Sequence, residues 1–305
     1  MLSILLIVLP SIVNGSYYVN LASQILIASI FAMSLNLLVG YAGLTSLGHA
    51  GYLGLAAYFN AWLTLALWSH VNAALFSVIC TTVISGLFGI IALRTSGVSF
   101  LMITLAFGQI LWGLAFRWAS VTGGDNGISN VTRPVPFGIG LDNPNHFYYF
   151  ALLFFVVVWL ILNRLVNSSF GTTIKGTRDQ PRRMASLGYN VWLIRWATFT
   201  FSGFIAAIGG LLFVYYQQFI SPHSISLSNS AEMLLMVLAG GAGTLNGPIV
   251  GAVLILLIKN IVSQYFDRWV ILLGVVYIFI VMFVPGGLVN SFNHLSQKYL
   301  LKRAR

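Results

Sequence analysis

Five acidic side chains, five histidines and a single cysteine are the groups in this 305-residue chain on which acid–base, metal or thiol chemistry would draw. Their spacing supports none of the three. No His, Cys, Asp and Glu cluster has metal-ligand spacing, no nucleophile stands beside a base, and no G-x-x-x-x-G-K-[ST] is present to cradle nucleotide phosphates. Cys80 lies inside an apolar run and reads as a core residue that offers no disulfide. Glu232, the only glutamate, opens an apolar run after SPHSISLSNS. Either Asn229 or Ser230 caps a helix with Glu232 in its first turn, favourable for the helix dipole, or Glu232 faces a solute pathway. His49 has two readings as well, a bond to a solute or to an unwound backbone carbonyl. Lys259 is expected to snorkel to the outer interface near Asp267 and Arg268.

The densest group of polar residues is the basic stretch from Arg164 to Arg195, RLVNSSFGTTIKGTRDQPRRMASLGYNVWLIR. Asp179 is placed to cap a short helix, Pro181 is tolerated in its first turn, and Gly188 is suited to stop it after about two turns. Met184 and Leu187, three apart, share one face and suit an apolar groove, with Arg182 and Arg183 set to pair with acids on its rim. The plainer reading is a solvated loop whose arginines obey the positive-inside rule.

Composition fixes the elements that must position these residues. The chain is 58% hydrophobic and 7% charged, with mean hydropathy +0.91, whereas a soluble domain carries about 25% charge. The net charge of +10 does not point to nucleic acid, because the basic residues sit between apolar runs, where a membrane protein keeps its anchors. Taking about 20 residues per crossing, the candidate spans are Leu2–Val13, Leu21–Val39, Leu47–Trp68, Val71–Leu93, Val98–Trp118, Phe147–Val166, Trp196–Tyr216, Ala231–Ala239, Ile249–Val262 and Trp269–Val284. The first lacks a basic n-region and a small-residue cleavage site, so it reads as a retained helix rather than a signal peptide. The expected fold is all-α, a polytopic transmembrane bundle of about 8–10 spans. Residues 1–290 form the membrane domain, with a hydrophilic loop at about 167–195, and 291–305 form a basic tail. Lys and Arg place that loop, the tail and both termini in the cytoplasm, leaving only Arg117, Arg133, Lys259 and Arg268 outside.

Three glycine-rich stretches interrupt the spans. GYAGLTSLGHAGYLG (Gly40–Gly54) and GGAGTLNGP (Gly240–Pro248) share G-x-A-G, at Gly40–Gly43 and Gly240–Gly243. Matching breaks in two halves are the mark of a duplicated transporter fold with discontinuous helices. Glycines that simply let helices pack closely are the alternative. TGGDNGIS (Thr122–Ser129) reads as an exterior turn in which Asp125 and Asn126 bond their own backbone, or as the rim of an entrance.

Four blocks in order, LNLLVGYAGLTSLGHAGYLGLAAY, VSFLMITLAFGQIL with TGGDNGIS, SSFGTTIKGTRDQPRRMASLGYN, and SAEMLLMVLAGGAGTLNGPIVGA, resemble the branched-chain amino acid ABC transporter permeases of LivM type. The likeness runs from Leu35 to Leu288. It implies the permease subunit of a bacterial plasma-membrane importer for leucine, isoleucine and valine, inert toward ATP itself. Its implied partners are a second related permease, two P-loop ATPases that bind ATP and Mg, and an extracytoplasmic substrate-binding protein. No cofactor is expected on this chain. Under the resemblance, Asp179, Arg182, Arg183, Met184, Leu187 and Gly188 map to the coupling helix that seats in an ATPase groove. Gly40, Gly43, Ser46, His49, Glu232, Gly240 and Gly243 are the expected translocation-pathway residues, with Glu232 available to the substrate's ammonium group. Permeases for urea or short amides share the same blocks. A secondary transporter fits less well, since it would more often carry intramembrane carboxylates for ion coupling.

Overall fold

A backbone in lipid has no water to bond to, so it must satisfy its own amides, and this chain does so almost wholly as helix. The computed structural model describes residues 15–138, 140–263, 271, 274, 275, 278, 282 and 286–289. In chain order the helices are α1 (Ser16–Asn36), continuing as a π-helical turn (Leu37–Ala42), α2 (His49–Leu65), α3 (His70–Ala92), α4 (Val98–Arg117) and the single turn α5 (Ala119–Thr122). Then come α6 (Pro144–Val166), α7 (Ser169–Asp179), α8 (Pro181–Ser186), α9 (Val191–Gln217), α10 (Leu227–Gly240) and α11 (Gly247–Val262). Among the described residues the only sheet-like pairing is an isolated antiparallel bridge between Ile128 and Ile220.

Among the described residues, five stretches are long and apolar enough to cross a membrane: Ser16–Ala42, His70–Ala92, Val98–Arg117, Pro144–Val166 and Val191–Gln217. Burial sorts them. Of the most apolar window in Ser16–Ala42, 89% is buried, against 28% in α3 and α4 and 33% in α6. The first is therefore the central post, apolar on all sides as a buried helix must be. It packs against α6, α9, α10 and α11.

The outer helices are inverted relative to a soluble protein. Along α3 the exposed face is Val71, Leu75, Ile79, Val83, Leu87 and Ile91, one large apolar residue per turn. Its buried face is Ala73, Ser77, Thr81, Ser85, Gly89 and Ala92. Large residues face lipid, and small ones let α9 approach, close enough that a β-carbon added at Gly203 would overlap the Ser85 side chain. Local caps fix several helix starts: Ser69 accepts from Asn72 N–H, Asn143 from Asn145 N–H, Ser168 from Gly171 N–H and Asn190 from Leu193 N–H.

A helix forms at each span expected from Leu21 to Val262, most within a few residues of the expected ends, but α2, α10 and α11, of 17, 14 and 16 residues, are shorter than the five long enough to cross. The expected span Leu2–Val13, most of Trp269–Val284, Asp267, Arg268 and the tail 291–305 lie outside the described residues. The TGGDNGIS segment turns with positive φ at Gly123, Gly124 and Gly127. Thr122 supplies its side-chain bonds, donating to Ala115 and Trp118 carbonyls and accepting from Gly124 N–H, while Asp125 and Asn126 stay exposed.

Candidate functional site

The two G-x-A-G segments meet. Where α1 loosens into its π-helical turn, Gly40 lies so close to Gly243 that an added β-carbon would overlap the Gly243 amide nitrogen. The chain leaves the turn through Gly43 at φ 70° and bends between α10 and α11 through Gly243 at φ 82°, both in the left-handed region. Asn36, 1% exposed, clasps the second segment with both ends of its carboxamide. Its Oδ1 accepts from Gly243 N–H at 2.9 Å and its Nδ2 donates to the Thr244 carbonyl at 2.8 Å. Thr244 Oγ1 in turn accepts from Gly247 N–H, starting α11. Gly240 has a different duty: a side chain there would overlap the Gly247 carbonyl, so it sets the close approach of α10 and α11.

The basic stretch reaches this junction. Helix α7 turns Gly171, Ile174 and Thr177 inward. Arg178 Nη1 donates to the Gly40 carbonyl, and a β-carbon at Gly43 would sit 2.6 Å from Arg178 Cγ. Lys175 lies 5.5 Å from the Tyr41 ring centroid. Arg195 Nη2 donates to the Thr177 carbonyl at 2.9 Å, tying α7 to the start of α9.

Two expectations about the stretch need correction. Asp179 does not cap the short helix; it ends α7 and pairs with Arg178 Nε at 2.8 Å. Gln180 occupies the cap position of α8, with no side-chain bond to the helix. The cause is the 11-residue helix Ser169–Asp179, started by the Ser168 cap, which sequence reading left as loop. Met184 is not offered outward with Leu187. Its sulfur packs over Gly176 of α7 and it is half-buried, while Leu187 is 66% exposed. Arg182 and Arg183 are exposed beside it, and Gly188 at φ 87° ends the helix as expected.

His49 meets two hydroxyls rather than a backbone carbonyl, and its buried Nδ1 finds no partner among the described residues. Fully buried at the start of α2, its Nε2 lies 2.9 Å from Ser34 Oγ and 3.5 Å from Ser202 Oγ, with Phe31 stacked on the ring. Ser202 also donates to the Ser34 carbonyl, so the knot joins α1, α2 and α9. Nearby in sequence, Ser46 Oγ is buried and finds no partner among the described residues.

Glu232 overturns a further expectation. It is not in the first turn of α10, which begins at Leu227 after Ser226. Lys259 pairs with it, while Asp267 and Arg268, expected near Lys259, lie outside the described residues. Lys259 Nζ bonds both Glu232 oxygens, at 3.0 and 2.9 Å, across α10 and α11. The pair borders a cavity of about 230 Å³ whose polar wall includes Gln24, Gln217 and Asn229. Gln217 ends α9 and Arg195 lies near its start, so cavity and glycine junction sit toward opposite ends of a 27-residue helix, about 40 Å long.

Sequence reading missed Asn36, Arg178 and the Ser34–His49–Ser202 knot. Asn36 left one signal, a carboxamide one turn before Gly40 in a largely apolar span. Arg178 left none beyond its positive charge.

A family model described as branched-chain amino acid transport system / permease component matches residues 17–284. The high-affinity branched-chain amino acid transport system permease protein LivM of Salmonella typhimurium is 29% identical over 297 residues, covering 88% of this chain and 69% of that protein. The Escherichia coli protein of the same name is 28% identical over the same shares. The autoinducer 2 import system permease protein LsrC of Salmonella typhi is 24% identical over 178 residues, 56% of this chain and 49% of its own. No solved structure matches.

Proposed function

The chain belongs to the branched-chain amino acid transport system permease family, and from that premise we propose that it is one of two related permease subunits of an ATP-driven importer for leucine, isoleucine and valine. Two separate P-loop ATPases supply the energy and an extracytoplasmic binding protein delivers the amino acid. The basic stretch, the tail and both termini lie in the cytoplasm, following the positive-inside bias. The observation that supports the reading best is the bond from Arg178 to the Gly40 carbonyl. It links a helix outside the membrane core to the point where both broken elements touch. A push on α7 and α8 is thereby felt at the Gly40–Gly243 contact, the arrangement an alternating-access permease needs between its motor and its inner seal.

The test is reconstitution. Purified alone, the chain is expected neither to hydrolyse ATP nor to transport. With the second permease, the ATPases and the binding protein in proteoliposomes, it should take up leucine only when ATP is supplied on the ATPase side. Leucine uptake without ATPases, or ATP hydrolysis by the rigorously pure chain that a point substitution within it removes, overturns the reading. ATP-driven uptake of urea or a short amide but not leucine would keep the machine and replace its cargo.

A further inference from the structure

Burying an ion pair is a poor way to join two helices, because an apolar pair of similar volume is often as stabilising or more so. Glu232 and Lys259 are nonetheless paired inside the bundle, with side chains 10% and 29% exposed. They border the cavity of about 230 Å³, whose remaining wall includes Ile27, Leu53, Met233, Met236 and Leu256. The space is thus bordered by a closed pair of opposite charges, by a polar wall that includes Gln24, Gln217, His223 and Asn229, and by an apolar patch. Ionisable groups within a membrane bundle that face a cavity mark solute or ion paths.

We propose that Glu232–Lys259 is an exchangeable ion pair that receives the charged end of a zwitterionic α-amino acid. The assignment rests on the amino acid importer reading above. The substrate's ammonium takes the Glu232 carboxylate while its own carboxylate takes the Lys259 ammonium. Each protein charge trades one partner for another of the same sign, so neither is left bare in the low-dielectric interior at any stage. The aliphatic side chain lies against Met233, Met236 and Leu256, and the unbranched thioethers of the two methionines adapt to leucine, isoleucine or valine alike. When the solute leaves, the pair closes and the site is neutral again. A ligand with only one charge gains one contact but strands the other protein group.

The experiment reads binding at the cavity itself, apart from the binding protein and ATP. In the assembled complex carrying Cys80→Ser and Gln24→Cys, a thiol reagent reports access to the cavity wall. Millimolar leucine is expected to slow labelling, whereas leucinamide, which lacks the carboxylate, and 4-methyl-2-oxopentanoate, which lacks the ammonium, should not. Adding Glu232→Gln with Lys259→Met should weaken leucine protection about tenfold or more, the factor for a lost charge-assisted hydrogen bond. Equal protection by all three compounds overturns the proposal without any change to the pair. So does undiminished leucine protection in an assembled neutral-pair complex, which would leave Glu232–Lys259 as a clamp between α10 and α11. Uptake by the parent complex is measured beside it. If that complex does not import leucine, the importer reading fails; if it imports leucine yet leucine never protects, only this inference fails.

Discussion

At Asn36 a single carboxamide does what a short strand of backbone would otherwise do. Its two polar ends satisfy one donor and one acceptor of the segment 243–244, where that segment has turned away from its own helix. Replacing Asn36 by Leu, similar in size, removes both bonds and leaves two backbone groups unmatched, at about 1–3 kcal/mol each. The expected outcome is a complex that inserts but unfolds several degrees lower and takes up leucine poorly, read by thermal unfolding and uptake on one preparation. Unchanged values in both would mean that the segment finds other partners. Gly43 and Gly243 make a companion case. At φ 70° and 82° an L residue is strained by about 1–2 kcal/mol, and at Gly43 a side chain also meets Arg178. Gly43→Val and Gly243→Val should leave insertion intact and reduce uptake. Normal transport by both would assign these glycines to packing alone. The G-x-A-G echo was legible from residue types. That the two copies touch was not, because contact between residues 40 and 243 depends on how α1 and the α10–α11 pair are arranged, and no local pattern encodes that.

At the scale of elements, spans were the easiest feature to read and the basic stretch the hardest. Lengths and apolar runs located α1 through α4, α6 and α9 through α11, since lipid imposes one requirement on all of them. Helix α7 escaped because SFGTTIKGTRD carries two glycines and three threonines, all weak helix formers. Its stability comes instead from the Ser168 cap and from the face of Gly171, Ile174 and Thr177 laid on its neighbours. Recognising α7 changes what α8 offers. Met184 is committed to α7, so the outward surface runs from Arg182 and Arg183 to Leu187 and Tyr189. Leu187→Asp combined with Arg183→Glu is therefore expected to abolish capture of the ATPases in a pull-down and to stop uptake. Insertion and thermal stability should hold, because both side chains are exposed. Met184→Asp should instead lower stability, by putting a charge between α7 and α8. Full ATPase capture by the Leu187 and Arg183 variant would move the docking surface off this segment.

The molecule as a whole separates its chemistry along its length. One end carries a closed contact of two broken elements with a basic helix locked onto it; toward the other lies a small cavity bordered by a charge pair and a polar wall. A long apolar helix, α9, runs from the region of the first to the region of the second. If α9 crosses the membrane with its start in the cytoplasm, as the positive-inside bias requires, then exposed positions just before and after it must be reachable from opposite sides. Ser186 precedes α9 and Ser228 follows it, and both are exposed. The native Cys80, half-buried within α3, is first replaced by Ser so that it contributes no signal. In intact cells a membrane-impermeant thiol reagent should then label Ser228→Cys, and should label Ser186→Cys only after permeabilisation. Labelling of the second should fall again when the ATPases are co-expressed, since α8 is where they are expected to sit. Labelling of Ser186→Cys in sealed cells would invert the whole assignment: the basic helix would face the binding protein, the cavity would face the cytoplasm, and the link from Arg178 to Gly40 could no longer carry force from an ATPase.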